Sequence, residues 1–519
     1  MGKIHTNIAV GIDEDIEEQL QWLSPNYENY HILKKSVDAR KRGSLKFIYS
    51  IETFQKGEPS KKEPIRLKPL GKYNAKPVVI IGAGPAGLFA ALRLLERGIP
   101  CILLEQGEET KKRVLSISKY WRKGILNENS NVGFGEGGAG LFSDGKLITR
   151  IKSDHIPYVM QRLVQFGAPE EIEYLSNPHV GSDKIRRVIP KLREHILSLG
   201  GEIHFNTQVT KINFSQKSVT GVTTKNVVDD TFKNFETDHI ILATGHSSKI
   251  FDHLHENDVF MEGKSFAVGL RIEHNQELIN KIQYKEFSDH PKLGAANYKL
   301  AYTNKDHGVG VYSFCMCPGG YVLSSGTEQG HLVSNGMSNY NRNSKFANAA
   351  MVLSIDHQKT FGDDLMGGMK FRASLEAQAF KMVQKNQGTK ELPAQYLSDF
   401  LSKKISSSLH KTSSPSGAVS SPLHELFDNK FHSRFSDAIE VFNKRMRGFS
   451  NDETILFGVE SRTSCPVRIT RDNKTLESIS HKGLYPTGEG AGYAGGITSA
   501  ACDGVKVADQ IYSLFKPTP

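Results

Sequence analysis

The hydrophobic pattern is densest from Val78 onward. Val78-Val79-Ile80-Ile81 is a β-branched run without a polar break, as a parallel strand buried on both faces requires. Gly82-Ala83-Gly84-Pro85-Ala86-Gly87 follows at once. From about Pro85 to Arg97, Leu88, Leu92 and Leu95 recur at helical spacing until Gly98 stops the run. A second apolar run, Cys101-Ile102-Leu103-Leu104, ends on Glu105. This order predicts a βαβ unit. Upstream, NIAVGI and SLKFIYSIETF read as strands around the acid-started helix DEDIEEQLQWL. Downstream, the helix KIRRVIPKLREHILSL leads to a strand over 200–205, then to Val209-Thr210-Lys211-Ile212, a hairpin-like region and Ile240-Ile241-Leu242. From about Phe266 to Ser450 the texture changes to short strands, glycine turns and amphipathic helices. Within it the serine-rich stretch Ser406–Ser421 reads as a loop, expected to be mobile. LYPTGEGAGYAGGITSAACDG near the end restores the strand–glycine–helix pattern.

The expected fold class is therefore α/β: a discontinuous Rossmann-like fold carrying an inserted α+β substrate or cap domain and a small α+β N-terminal domain. The expected boundaries are 1–70, 76–265, 266–450 and 451–519, with KGEPSKKEPIRLKPLGKYNAKP as a linker before the first long strand.

The glycine spacing carries the first chemical reading. Gly82 suits the tight turn, Gly84 lets the backbone approach a pyrophosphate, and Gly87 lets the helix pack closely on the strand. Pro85 and Ala86 open that helix, whose N-terminal N–H groups and dipole favour phosphate. Glu105, 18 residues after Gly87, stands where a ribose hydroxyl partner is needed, with Gln106 beside it. Strand, helix, second strand and terminal acid in register point to dinucleotide binding; a bare glycine motif would not.

Composition narrows the class. The chain has 519 residues, 38% hydrophobic and 24% charged, as expected of a multidomain globular protein. No apolar run is long enough to cross a membrane, and MGKIHTNIAVGIDEDIEE lacks a secretory core. Five cysteines do not make a disulfide framework, so a reducing, cytoplasmic setting is expected. The net charge of +10 is spread along the chain. The most basic patch, Lys34, Lys35, Arg40, Lys41 and Arg42, reads as a solvated face in preference to a phosphate or RNA contact, so nucleic acid is not expected as a partner.

A remote glycine-rich strand–turn–helix distinguishes FAD from a nicotinamide, because the longer cofactor needs a second holding segment. Leu484-Tyr485-Pro486-Thr487 closes a strand, and Gly488-Glu489 puts a carboxylate at its end. Gly495-Gly496-Ile497 opens the last helix with bare N–H groups able to stabilise charge developing on a reduced flavin. Here the chain resembles flavoproteins of the glutathione-reductase-type FAD fold. Their end motif is Gly-Asp, with Glu489 standing in place of Asp, and Ala243-Thr244-Gly245 is similar to their turn beside the diphosphate. SNVGFGEGGAGLFSDGKL, PHVGSDKIRRV, VGLRIEH, FCMCPGGYVLSS, NGMSNYNRN and ESRTSCPVRITRD together resemble one family, the uncharacterised FAD-dependent dehydrogenases or oxidoreductases, over nearly the whole chain. Its members tend to carry serine where this chain has Cys465. The resemblance implies FAD and a fold; it implies no substrate.

Gly135-Glu136-Gly137-Gly138-Ala139-Gly140 also fits the dinucleotide spacing, yet SNVGF before it is a poor strand and LFSDGKL after it lacks helix formers. It reads as a flexible loop, with Gly137 and Gly138 at the cofactor. Val209 joins the expected cofactor-binding set. No other segment carries the full fingerprint, so the electron donor is open, a transiently bound NAD(P)H among the choices. Cys315-Met316-Cys317 reads as two small buried hydrophobes before a Pro-Gly turn, or as two thiols sharing one strand face; if one reacts, Cys317 is expected to, being nearer the turn. No ligand spacing for a metal accompanies them. His246 reads as a capping or surface residue, and Lys146, Arg150 and Arg462 as solvated side chains. The leading expectation is an FAD-dependent oxidoreductase moving hydride to or from an unidentified small molecule. The alternatives are an RNA-associated flavoprotein and an FAD-holding scaffold without turnover.

Overall fold

The structure, a computed structural model, describes residues 2–39, 45–59, 64–247, 249–306 and 308–515. Arg40, Lys41 and Arg42 of the basic patch, and residues 60–63 of the expected linker, lie outside the described residues.

The β-branched run forms the strand Val78–Ile81 at the centre of a five-stranded parallel sheet. Cys101–Leu104 and Ile240–Leu242 flank it, and Glu202–His204 and Leu484–Pro486 take the edges. The sheet is assembled from segments about four hundred residues apart, and hydrophobic burial holds them together. Each fully buried Val or Ile contributes roughly 1.5–3 kcal/mol, and Val78, Val79 and Ile80 are all sealed. The helices Pro85–Glu96 and Ile497–Phe515 pack together on this sheet. Arg93 clamps them with two bonds to Asp509, Nε–Oδ1 2.9 Å and Nη2–Oδ2 2.7 Å.

The insert is built on a mainly antiparallel seven-stranded sheet. Its order is Ala301–Thr303, Gly310–Cys317, Phe346–Ile355, Phe266–Asn275, Ile455–Glu460, Leu392–Tyr396 and Ala418–Ser420. Ile455–Glu460 hydrogen-bonds between two insert strands, so this sheet continues past the expected boundary at 450. The apolar run ILFGV suits burial in either sheet, and composition could not say which would claim it.

The serine-rich stretch is mostly loop, as expected, ending on the short strand Ala418–Ser420, and hydrogen bonds anchor it. Ser413 donates through its backbone N–H and its hydroxyl to the buried Glu273 and accepts from Val322 N at 2.8 Å; Ser406 donates to Asp399 at 2.7 Å. Here serines supply donors to carboxylates, that of Glu273 buried, which a compositional reading cannot see.

Two smaller sheets complete the chain. Thr207–Ser215, Ser218–Asn226 and Phe232–Glu236 form an antiparallel meander. At the N-terminus Lys46–Gln55 lies between Lys3–Gly11 and Tyr27–Asp38, with the helix Ile16–Leu23 packed through Leu20. The Tyr27–Asp38 strand left no alternating signal because its side chains are mostly half-exposed. In the basic patch, Lys35 Nζ lies 4.7 Å from the Phe47 ring centroid and 5.3 Å from that of Tyr49, so its stem packs on the sheet. Among the described residues, no helix is long and apolar enough to cross a membrane.

Candidate cofactor and active site

A cavity of about 360 Å³ separates the parallel sheet from the insert. Its first wall follows from the glycine turn. Gly82 has φ +105°, a conformation few other residues adopt, and a Cβ on Gly87 would lie 1.9 Å from the Gly82 carbonyl oxygen. The turn is therefore tight and the helix seated hard on it, with Gly84, Pro85 and Ala86 on the cavity. Gly87 is a packing residue away from the lining.

Glu105 is buried at the end of the next strand. It accepts N–H bonds from Ala83 (2.8 Å), Gly107 (2.9 Å) and Gly135 (3.1 Å), which uses about three of its roughly four acceptor positions. Gln106 and Val209 line the same end.

The loop Gly135–Gly140 has no strand before it and a single 3₁₀ turn, Ala139–Phe142, after it. It lies across the first turn: Gly137 N donates to the Ala83 carbonyl at 2.8 Å, and a Cβ on Gly138 would lie 3.0 Å from the Gly84 Cα. Gly138 lines the cavity, whereas Gly137 faces Leu141 and Ile189 in the core. The fully buried Arg113 holds this loop through the carbonyls of Asn131, Val132 and Glu136 at 2.9, 2.9 and 2.6 Å.

The C-terminal turn closes the middle of the cavity. Ala243, Thr244 and Gly245 line it, as do Glu489, Gly495, Gly496 and Ile497. Gly488 does not, since its N–H is spent on Asp503 at 2.7 Å. His246 is neither a surface residue nor a helix cap: it is largely buried, lines the cavity, and its Nε2 pairs with Glu489 at 3.2 Å.

The insert supplies the last wall through Phe314, Cys315, Asn335, Glu460, Arg462 and Thr463. Arg462 is not solvated. Glu376 grips it with two bonds, Nε–Oε1 3.1 Å and Nη2–Oε2 2.8 Å. Burial works against the Glu376 charge, but Arg462 and Arg372 hold its carboxyl at about 2. Lys146 is likewise engaged, donating to the Met316 carbonyl. Glu460 takes a 2.9 Å bond from Nε of the fully buried Arg271, whose Nη1 donates to Asn348 at 2.8 Å. Burial pushes the Glu460 carboxyl up, and the guanidinium opposes that shift.

The cysteines stand in the reverse of the expected order. A bulge between Phe314 and Cys317 breaks the shared strand face, and Cys315 takes φ +44°. Cys315 lines the cavity, while Cys317 is 0% exposed behind it. Proximity to a turn was the wrong guide, because the bulge decides which thiol faces the opening.

Of the wall residues, Glu460 had drawn no attention. It ends the apolar run ILFGV as Glu105 ends CILL, so the same signal was present at both. Asn335 and Thr463 carry no such signal.

The site fits a long dinucleotide. Positions where a side chain would project are bare: a Cβ on Gly245 or Gly495 would meet nothing within 4 Å. Among the described residues, the buried His246 Nδ1 has no hydrogen-bond partner. Two helix N-termini open on the cavity, whose first N–H groups lack intrahelical acceptors.

Comparison with known proteins agrees. Residues 265–463 match the family described as FAD-dependent protein, C-terminal domain-like, and residues 76–282 match pyridine nucleotide-disulphide oxidoreductase. A Clostridium beijerinckii relative, named only as an uncharacterized protein, is 40% identical over 534 residues, covering 98% of this chain and 98% of its own. Among solved structures, a Cytophaga hutchinsonii flavoprotein/dehydrogenase is 12% identical over 85% of this chain and 80% of its own, with a TM-score of 0.36. A flavin-dependent halogenase is 13% identical over 85% of this chain and 59% of its own, with a TM-score of 0.38. Likeness at that level says nothing of the reaction.

Proposed function

The chain belongs to a family of FAD-dependent oxidoreductases, and on that premise we propose that it moves hydride equivalents between a bound FAD and a small molecule within the cavity between its two main sheets. The observation that carries this reading is the continuity of one cavity along both glycine turns, from Glu105 and Gln106 to Gly495, Gly496 and Ile497. Gly84 and Ala86 would hold the diphosphate by backbone N–H groups, with the dipole of the helix that Pro85 opens. Glu105, anchored by three N–H donors, would keep one acceptor position for a ribose hydroxyl. The start of the last helix would face the isoalloxazine, which when bound supplies two-electron hydride chemistry.

The chain's own residues then exclude water and orient the substrate. Phe314 gives the insert wall an apolar surface, and Glu376 fixes Arg462 in one position at low conformational cost. The pair His246–Glu489 can keep a proton at the cavity wall.

The test is release of flavin from the purified protein on denaturation, followed by anaerobic titration of the holoprotein with NADH and NADPH and a metabolite screen for reoxidation. About one FAD per chain, bleached by at least one donor and recovered by a small molecule, is the expected result. Absence of FAD, or a flavin that no donor reduces, would overturn the proposal.

A further inference from the structure

We propose that Cys315 and Cys317 form a redox-active dithiol that exchanges an electron pair with the bound FAD. The proposal rests on the FAD reading above and adds a second redox centre to it.

Geometry carries it first. Two residues of regular strand span about 6.6 Å between Cα atoms, near the upper end of what a disulfide bridges. In this strand the bulge and the φ of +44° at Cys315 kink the chain, and Cys315 lines the cavity. A left-handed conformation is disfavoured at a residue other than glycine. Two contacts to the Cys315 carbonyl hold it: Arg271 Nη1 at 3.4 Å and Cys317 Sγ at 3.3 Å. One thiol therefore faces the opening, and the other lies sealed directly behind it.

The surroundings then make the two thiols unequal. The neighbouring Cys317 thiol, with the nearby Lys146 and Arg271 cations, moves Cys315 below the ordinary thiol range, against its burial. The Cys315 thiol, with burial, pushes Cys317 up. A cavity-facing thiol of lowered pKa with a protonated partner behind it is the arrangement thiol–disulfide chemistry needs. The remaining cysteines differ: Cys101, Cys465 and Cys502 are buried, and burial raises each of them.

The pair is also tied to the segment expected at the isoalloxazine. Lys146 Nζ donates to the Met316 carbonyl between the two cysteines, and the next residue, Leu147, accepts from Thr498 Oγ1 at 2.8 Å at the start of the last helix.

The step balances with FAD as the named oxidant. Two S–H bonds break and one S–S bond forms. The electron pair and one proton pass to the oxidised isoalloxazine, and the second proton leaves through the cavity. The reverse step stores an electron pair in the dithiol.

Anaerobic dithionite titration of the full-length, FAD-loaded protein tests this. The oxidised wild type should take up about four electrons per FAD, whereas Cys315→Ser and Cys317→Ser should each take up about two. In parallel, alkylation under denaturing conditions should label all five thiols of the reduced wild type. The oxidised form should show two fewer, with the peptide spanning Cys315 and Cys317 lighter by two hydrogens. Should the variants lose FAD, the wild-type thiol count decides alone. Bound FAD with two-electron uptake and five alkylated thiols in both states would overturn the dithiol and leave the oxidoreductase reading standing; failure to bind FAD would remove both.

Discussion

Two buried carboxylates on the cavity wall are held in opposite ways. Glu105 ends a parallel strand, and its hydrogen bonds among the described residues come from the backbone N–H groups of Ala83, Gly107 and Gly135. Glu460 ends a strand of the insert, and the guanidinium of Arg271, 189 positions earlier, holds it. The first arrangement places fixed dipoles around a charge and comes with the local turn. The second buries two full charges together, so each depends on the other. A third carboxylate sharpens the contrast. Glu273, on the same strand as Arg271, has neither arrangement, only the hydroxyl and N–H of Ser413. Burial pushes it up to about 7, against those two hydrogen bonds.

The largest expected effect comes from breaking the charge pair. Arg271→Ala leaves Glu460 buried without a counter-charge and should cost about 3–5 kcal/mol of stability in denaturant unfolding. Adding Glu460→Gln to that variant should recover part of the loss. If the single variant is as stable as wild type, the pair does not hold this wall.

Next comes the carboxylate with no cation. The folded-state value for Glu273 lies above its ordinary 4.5. Its contribution to stability is therefore fully present below about pH 4.5 and lost as pH rises through about 7. Glu273→Gln should remove that part of the decline, an effect of about 1–3 kcal/mol between about pH 5 and about pH 8. Unfolding midpoints of the two proteins at both pH values measure it; parallel pH dependences would refute the assignment.

The smallest effect on stability should come from Glu105, whose backbone donors remain after substitution. Glu105→Gln presents an amide to three N–H groups and weakens charge-assisted bonds worth about 1.5–3 kcal/mol in total effect. The dissociation constant for FAD should rise roughly tenfold to a hundredfold, while denaturant stability changes less than in Arg271→Ala. Flavin retention during equilibrium dialysis reads this out, and unchanged retention would remove Glu105 from the proposed ribose contact.

The same contrast explains what could be read along the chain. The turn at Gly82, the helix from Pro85 and the acid at Glu105 are one contiguous unit, and each signal lies within a few residues of its structural cause. The glycines at 495 and 496 were legible for the same reason. The Arg271–Glu460 pair joins strands that meet only when the insert's sheet is assembled, and no periodicity links the two positions. The boundary at 450 failed because an apolar strand suits either sheet. The order of Cys315 and Cys317 failed because a bulge moves one thiol off the face that strict alternation assigns.

Glycine spacing, β-branched runs and strand-terminal acids determined the nucleotide fold and its first wall, since steric limits on the backbone and the burial of apolar strands act locally. Long-range pairing decided the opposite wall: which strand joined the insert, which cation met Glu460, and which cysteine reached the cavity. Those outcomes depend on register between distant strands, where a shift of one residue reverses the face each side chain occupies.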